Sequence, residues 1–197
     1  MHTTPSEALR PGPRPAWLAL ALWLGTIALE LARGRPLICP CGHVRLWAAE
    51  VNSAENSQQI ADWYSFSHVI HGLLFYGAAW GLGRWIALRW SRWALPAAVL
   101  LEGLWELAEN SPVVIERYRA ATVSLGYVGD SVLNSASDIA FMALGFWIAS
   151  RLPWQASVAL GVAFELFTLA LIRDNLTLNV LMLAWPIEAI RHWQAAG

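Results

Sequence analysis

The sequence predicts an all-α, polytopic transmembrane helix bundle of five to six spans, with a polar first extracytoplasmic loop. Three observations predict it. Hydrophobic residues fill 57% of the 197 positions and charged residues only 14%, against about 25% charged in ordinary soluble chains. The apolar residues are gathered into six runs, most of them close to the ~20 residues that cross a ~30 Å hydrocarbon core at ~1.5 Å per residue. If those runs are spans, Trp17, Trp85, Trp90, Trp93, Trp147, Trp154 and Trp193 fall near one membrane face, as an aromatic belt should. A soluble all-helical protein is the alternative, but the first and fifth runs have no polar face to offer water.

Along the chain, residues 1–15 form a cytoplasmic tail carrying Arg10 and Arg14. The run AWLALALWLGTIALELA (16–32) follows. It lacks a small-x-small cleavage site and ends in ELARGRP, so it reads as a retained anchor rather than a signal peptide. The remaining runs are 65–88, 94–110, 131–150, 154–172 and 175–190, within a single membrane domain at 16–191; residues 192–197 are a tail. The sixth run carries Pro186, so it either spans or dips into the interface. No internal repeat exceeds the tetrapeptide AENS, at 54–57 and 108–111.

Arginine counts set the orientation. RWIALRWSRW (84–93) holds three arginines and no acid, which places the N-terminus, and after six spans the C-terminus, in the cytoplasm. Against this, Arg33, Arg35, Arg45, Arg117, Arg119 and Arg173 lie on the opposite side. Whichever way the chain faces, alternation puts the first, third and fifth loops, rich in Asn, Ser and Asp, on one surface. The chain contains no lysine, which excludes lysine Schiff-base and lysine-nucleophile chemistry.

The stretch LLEGLWELAENSP (100–112) places Glu102, Glu106 and Glu109 on one stripe of an apolar helix. An ionised side chain at mid-bilayer costs about 2.5–3.5 kcal/mol, while each large aliphatic residue returns about 0.3–0.6. Three exposed charges cannot be supported, so these acids are expected to turn inward. Partners stand at matching depth: His68 and His71, three apart in SHVIHG; Asp130, Asn134 and Asp138, recurring every four residues; Glu165 in the fifth run and Glu30 in the first. We expect a buried polar cavity beneath the polar face.

Neutral imidazoles and carboxylates from facing helices suit a divalent metal, Zn²⁺ or Mn²⁺. In that reading His68, His71, Glu106 and Asp138 are ligands, and Glu102 or Glu109 is the general base. The alternative is a proton-sharing network that holds helices together. Arg117, Arg119 and Arg173 are candidates for binding a phosphate or carboxylate, or else ordinary interfacial anchors. CPCGH (39–43) can join a metal or redox site, or simply make a rigid loop; its C-x-C pair closes only a strained disulfide. NLT (175–177) matches a glycosylation sequon by chance.

The motifs CPCG, VNSAENSQQIADWYSFSHVIHG, WELAENSPVVIERYRAATVSL, GDSVLNSASD and IRDNLTLNVLMLAWPIEAIR together resemble an uncharacterised family of bacterial multi-pass inner-membrane proteins, known by a domain-of-unknown-function label. The resemblance covers roughly residues 37–193 and implies location at the inner membrane; it carries no catalytic residue. A looser likeness is to VanZ-like membrane proteins, through His71, Glu102, Glu106, Asp130 and Asn134, with departures in spacing.

The expected function is a metal-assisted hydrolase or transferase acting on a lipid or lipid-linked envelope substrate at the extracytoplasmic leaflet. A proton-linked transporter and a non-catalytic assembly protein are the competing readings. The expected partners are the bilayer and a lipid-linked small substrate, and no nucleic acid. No glycine-rich phosphate loop or dinucleotide fingerprint is present.

Overall fold

The computed structural model describes residues 13–85, 92–122, 124 and 126–196. The tail residues 1–12 with Arg10, residues 86–91 of the basic loop, and Gly197 lie outside the described residues, as do the last three positions assigned to the second run. Among the described residues the chain is all-helical, without strands. The helices are α1 Pro13–Ala32, α2 Ser65–Trp85, α3 Ala94–Glu109, α4 Pro112–Ala121, α5 Val132–Ala149, α6 Trp154–Ile172, α7 Leu176–Ala184 and α8 Glu188–Ala195.

Among the described residues, three stretches are long and apolar enough to cross a bilayer: Arg14–Ala32, Val132–Ala149 and Trp154–Ile172. Their outward surfaces are what lipid accepts and water disfavours. On α6 alone, Val158, Val162, Leu166 and Leu171 are each more than half exposed. Such continuous apolar cover is compatible with a membrane protein.

The bundle is built on α2 and α5, which share its most extensive contact. Their approach depends on two glycines. A Cβ on Gly72 would overlap the Met142 carbonyl oxygen, and one on Gly145 would overlap the Val69 carbonyl oxygen. Small residues thus let the two backbones meet directly, as helices do where lipid supplies no hydrophobic drive. Leu73, Tyr76, Val99, Ile139, Met142 and Phe146 fill the core beside this crossing. Helix α1 packs on α3 with Gly103 against the Thr26 hydroxyl, and the Trp23 indole donates to the Ala136 carbonyl at 3.0 Å.

Two elements depart from expectation. Residues 112–121, read as loop, form α4. Its Ser111 cap accepts from the Val114 N–H, and Pro112 occupies the first turn, where a missing N–H costs nothing. The sixth run breaks at Trp185–Ile187, because Pro186 cannot continue the helix. α7 has nine residues, about 13 Å of rise, under half a bilayer. α8 then folds back. The Gln194 amide donates to the Arg173 carbonyl and to Asp174, both at 3.0 Å, and the Arg173 guanidinium lies over the Trp193 ring at 5.6 Å. Neither helix of the sixth run is therefore long enough to cross a bilayer alone. Trp193 sits at the end of the bundle that holds Arg173, away from Trp154 at the other end of α6, and leaves the belt expected of it.

The first, third and fifth loops do meet at one end. Ser131 N–H donates to the Ser57 carbonyl at 3.1 Å, and the Tyr64 hydroxyl donates to Asp174 at 3.1 Å. At the same end, Glu165 turns back to α7. Its two oxygens accept from the Leu176 N–H at 2.9 Å and the Thr177 N–H at 3.0 Å, satisfying orphan donors of that helix start. Asn175, the asparagine of the sequon, is the α7 cap and accepts from Leu178 N–H.

Candidate functional site

A cavity of about 240 Å³ opens between α2, α3 and α5, lined among others by Tyr64, His68, His71, Glu102, Glu109 and Asp138. His68 and His71 come from one face of α2, Glu102 and Glu109 from α3, Asp138 from α5, and Tyr64 from the turn before α2. His68 and His71 both turn to Glu102. The His68 Nδ1 lies 2.6 Å from Oε1, and the His71 Nδ1 lies 2.9 and 3.1 Å from Oε1 and Oε2. An ionised carboxylate only accepts, so these pairings need a proton on each Nδ1, which leaves each neutral ring a lone pair on Nε2.

One turn along α3 the situation reverses. Glu106 is 1% exposed and neither of its carboxylate oxygens has a hydrogen-bond partner; Asp138 Oδ1 on α5 is likewise unpartnered. His68 stands between them, with Nδ1 3.7 Å from Glu106 and Nε2 3.8 Å from Asp138. One ligand atom from each of His68, Glu106 and Asp138 lies within 4.8 Å of the others. Buried polar atoms are nearly always partnered, and three orphaned carboxylate oxygens around one imidazole form a donor set suited to a cation.

Two other groups have metal-ligand composition. His68, His71 and Glu102 are already bonded to one another. Cys41, His43 and Glu55 lie together, but Cys41 is joined to Cys39 in a disulfide and offers no thiolate. The C-x-C pair, left open between metal, redox and structural roles, is thus closed on itself.

The rim is a lattice of polar groups that are satisfied except at Gln58 Oε1, which has no partner. The Asn110 amide donates to Asp130 and to Ser135, each at 3.1 Å, and accepts from the Asp130 N–H at 2.6 Å. The Tyr127 hydroxyl donates to Asp130 at 2.9 Å. Asn134 donates to the Gln59 carbonyl at 2.9 Å, and Gln58 to the Gly129 carbonyl at 2.6 Å. Gly129 has φ +82°, and a Cβ there would stand 2.7 Å from Asn110 Oδ1, so only glycine fits. Asp130 and Asn134, two members of the expected stripe, therefore hold loops together, while Asp138 keeps a buried oxygen with no partner. Burial lifts the Asp130 carboxyl to about 7 against the Tyr127 hydrogen bond, which lowers it. Burial likewise lifts Asp174 to about 6 against the Asn175 N–H.

Glu109 lines the cavity beside Tyr118 and Trp105. The three candidate anion-binding arginines do not line it. Arg117 donates to the Leu183 carbonyl, Arg119 to the Tyr127 carbonyl and Arg173 to the Trp193 carbonyl; all three tie helices and loops together. Sequence reasoning missed Tyr64, Tyr118 and Tyr127 in the lining, since single tyrosines outside apolar runs carry no periodic signal.

Fold and cluster together define an all-helical protein, with three helices apolar enough to cross a bilayer, that buries acids and imidazoles where its helices meet. Residues 30–196 match the family described as Protein of unknown function (DUF2585), and the chain belongs to that family. It is similar to a UPF0314 protein of Novosphingobium aromaticivorans, 60% identical over 182 residues, 91% of each chain. A UPF0314 protein of Paracoccus denitrificans is 58% identical over 176 residues, 89% of this chain and 86% of that one. One of Rhizobium meliloti is 53% identical over 188 residues, 92% of this chain and 93% of that one. No solved structure matches.

Proposed function

We propose that this is a multi-pass inner-membrane enzyme in which His68, Glu106 and Asp138 hold a divalent metal, Zn²⁺ or Mn²⁺, for hydrolysis or group transfer on a lipid or lipid-linked substrate at the extracytoplasmic leaflet. The observation that carries this reading is the pair of unpartnered carboxylates flanking His68, one of them with both oxygens orphaned. A bound cation would relieve them. Glu102 then orients rather than ligates: by accepting from His68 Nδ1 it presents Nε2 to the metal, the carboxylate–histidine–metal arrangement. The metal, when bound, would polarise the scissile group and lower the pKa of a bound water. Glu109, on the cavity wall, is the better candidate for the general base, because both Glu102 oxygens face imidazoles. Of the expected ligands, His71 serves with Glu102.

A lipid substrate is supported by a second cavity of about 1060 Å³, lined by Leu73, Leu74, Val158, Val162 and Leu166 between α2 and α6. Leu176 lines both cavities, so a head group in the first and an acyl chain in the second would lie on either side of one residue. Five crossings, by α1, α2, α3, α5 and α6, place the C-terminus on the side opposite a cytoplasmic N-terminus. For the transporter reading, Glu165 is the acid beyond the cavity to watch, and its two oxygens are engaged by the α7 start, which favours the enzyme reading.

Metal analysis of the detergent-purified chain tests the proposal. About one equivalent of Zn or Mn is expected in the wild type, and neither in His68→Ala or Glu106→Ala. A metal-free wild type, or content unchanged by both substitutions, would leave the polar network as helix packing alone.

A further inference from the structure

The first loop holds chemistry that the metal centre does not use. Cys39 and Cys41 form a disulfide whose two sulfurs differ. Cys39 is 2% exposed, whereas Cys41 is exposed to solvent. Each has a donor aimed at it. The Cys41 backbone N–H reaches Cys39 Sγ at 3.1 Å, and the Gln59 amide reaches Cys41 Sγ at 3.5 Å. The His43 Nε2 lies 3.6 Å from Cys41 Sγ and 3.2 Å from Glu55, so one imidazole can serve whichever of the two carries charge. Arg45 pairs with Glu55 at 3.2 Å, offsetting that acid beside the sulfur. These groups stabilise thiolates, and stabilised thiolates are good leaving groups. The segment that carries the disulfide also exposes Leu37, Ile38, Val44 and Leu46, with Leu46 79% exposed.

We propose that Cys39–Cys41 is a thiol–disulfide exchange centre that accepts two electrons from a dithiol carried on an apolar protein segment. A partner thiolate attacks Cys41 Sγ; the Cys39–Cys41 bond breaks, a partner–Cys41 bond forms, and Cys39 leaves as a thiolate beside the Cys41 N–H. The partner's second thiolate then attacks its own first sulfur. Cys41 leaves as a thiolate beside Gln59 and His43. The partner ends as a disulfide, having lost two electrons, and its two protons end on the Cys39 and Cys41 thiols. The exposed aliphatic rim fits a protein segment rather than lipid as the reacting partner, because exchange requires thiols that lipids lack. This centre is independent of the metal proposal, which involves none of these residues.

The test uses the full chain in detergent with its disulfide intact. Dithiothreitol at neutral pH is expected to reduce the folded protein within minutes, read as two maleimide–polyethylene glycol additions with helical circular dichroism unchanged. In Cys39→Ala, the Cys41 thiol should react with Ellman's reagent at pH 6 at least tenfold faster than glutathione does. Adding His43→Ala should slow it about threefold or more. A synthetic dithiol peptide flanked by leucines should be oxidised several-fold faster than one flanked by serines, and Leu46→Ser should erase that preference. Reduction only on unfolding, a Cys41 no faster than glutathione, or no effect of His43→Ala overturns the exchange centre. Equal rates for the two peptides overturn the assigned partner.

Discussion

The rim of the cavity and the buried floor behind it, where Glu106 lies under the lining residues His68 and Asp138, are built from the same residue types, yet they solve burial in opposite ways. At the rim, Asn110, Asp130, Ser135 and Tyr127 answer one another donor to acceptor. On the floor, Glu106 and Asp138 keep oxygens with no partner. Within one helix, Glu102 accepts from two imidazoles while Glu106, four residues on, accepts from nothing. A satisfied network stabilises; an unsatisfied one is retained against a stability cost, which points to use.

That contrast can be broken experimentally. The largest effect is expected from Glu106→Leu combined with Asp138→Asn: at least a hundredfold weaker metal binding, about 2.7 kcal/mol or more, read by competition with a chelating dye. The same change should hold or raise the melting temperature of the metal-free chain, since an apolar group replaces an orphaned acid. A clear fall in stability would show that the floor is structural like the rim. Next comes Asn110→Ala, which strands Asp130 and Ser135 together; a loss of about 2 kcal/mol is expected in denaturation, with metal affinity in the folded fraction unchanged. Glu102→Gln lies between the two regions. It leaves the ligands in place but frees His68, so metal affinity should drop about tenfold.

A further effect is in pH dependence and sharpens the rim alone. Burial raises the Asp130 carboxyl to about 7, so the folded chain keeps a proton that the unfolded chain releases near 3.8. The associated stability is full below that value and is lost as pH rises through about 7, because the folded state binds more protons over that interval. Asp130→Asn should flatten that slope between pH 4 and 7 in thermal melts. Asp174, raised to about 6, leaves a weaker residual slope confined to lower pH.

The apolar runs exposed most of this architecture beforehand. Helix bounds at 94–109 and 154–172 follow hydropathy almost residue by residue, and the spacing of His68, His71, Glu102, Glu106 and Asp138 was enough to bring them together. What spacing could not tell was which acid is partnered. Glu102 and Glu106 share one stripe, and only the rotation of α2 against α3 decides that both imidazoles reach the first. α4 was missed because Glu116, Arg117 and Arg119 interrupt the apolar residues of PVVIERYRAA, although residues 111–112 were a start signal in plain view. Pro186 marked the break in the sixth run, but the return of α8 depends on Gln194 meeting Asp174, a contact twenty residues apart that no periodicity encodes. The arginines were read by their charge, and the structure uses their length, to reach carbonyls.

Glu165 carries a consequence for how the chain enters the bilayer. Its carboxylate sits in the apolar helix with the least buried surface and accepts from amides that come later in synthesis, at Leu176 and Thr177. On the proposed membrane reading, α6 without α7 would carry an unbonded acid that hydrocarbon disfavours. The two segments would then be best delivered as one hairpin, and a chain stopped after α6 would be expected to insert less efficiently.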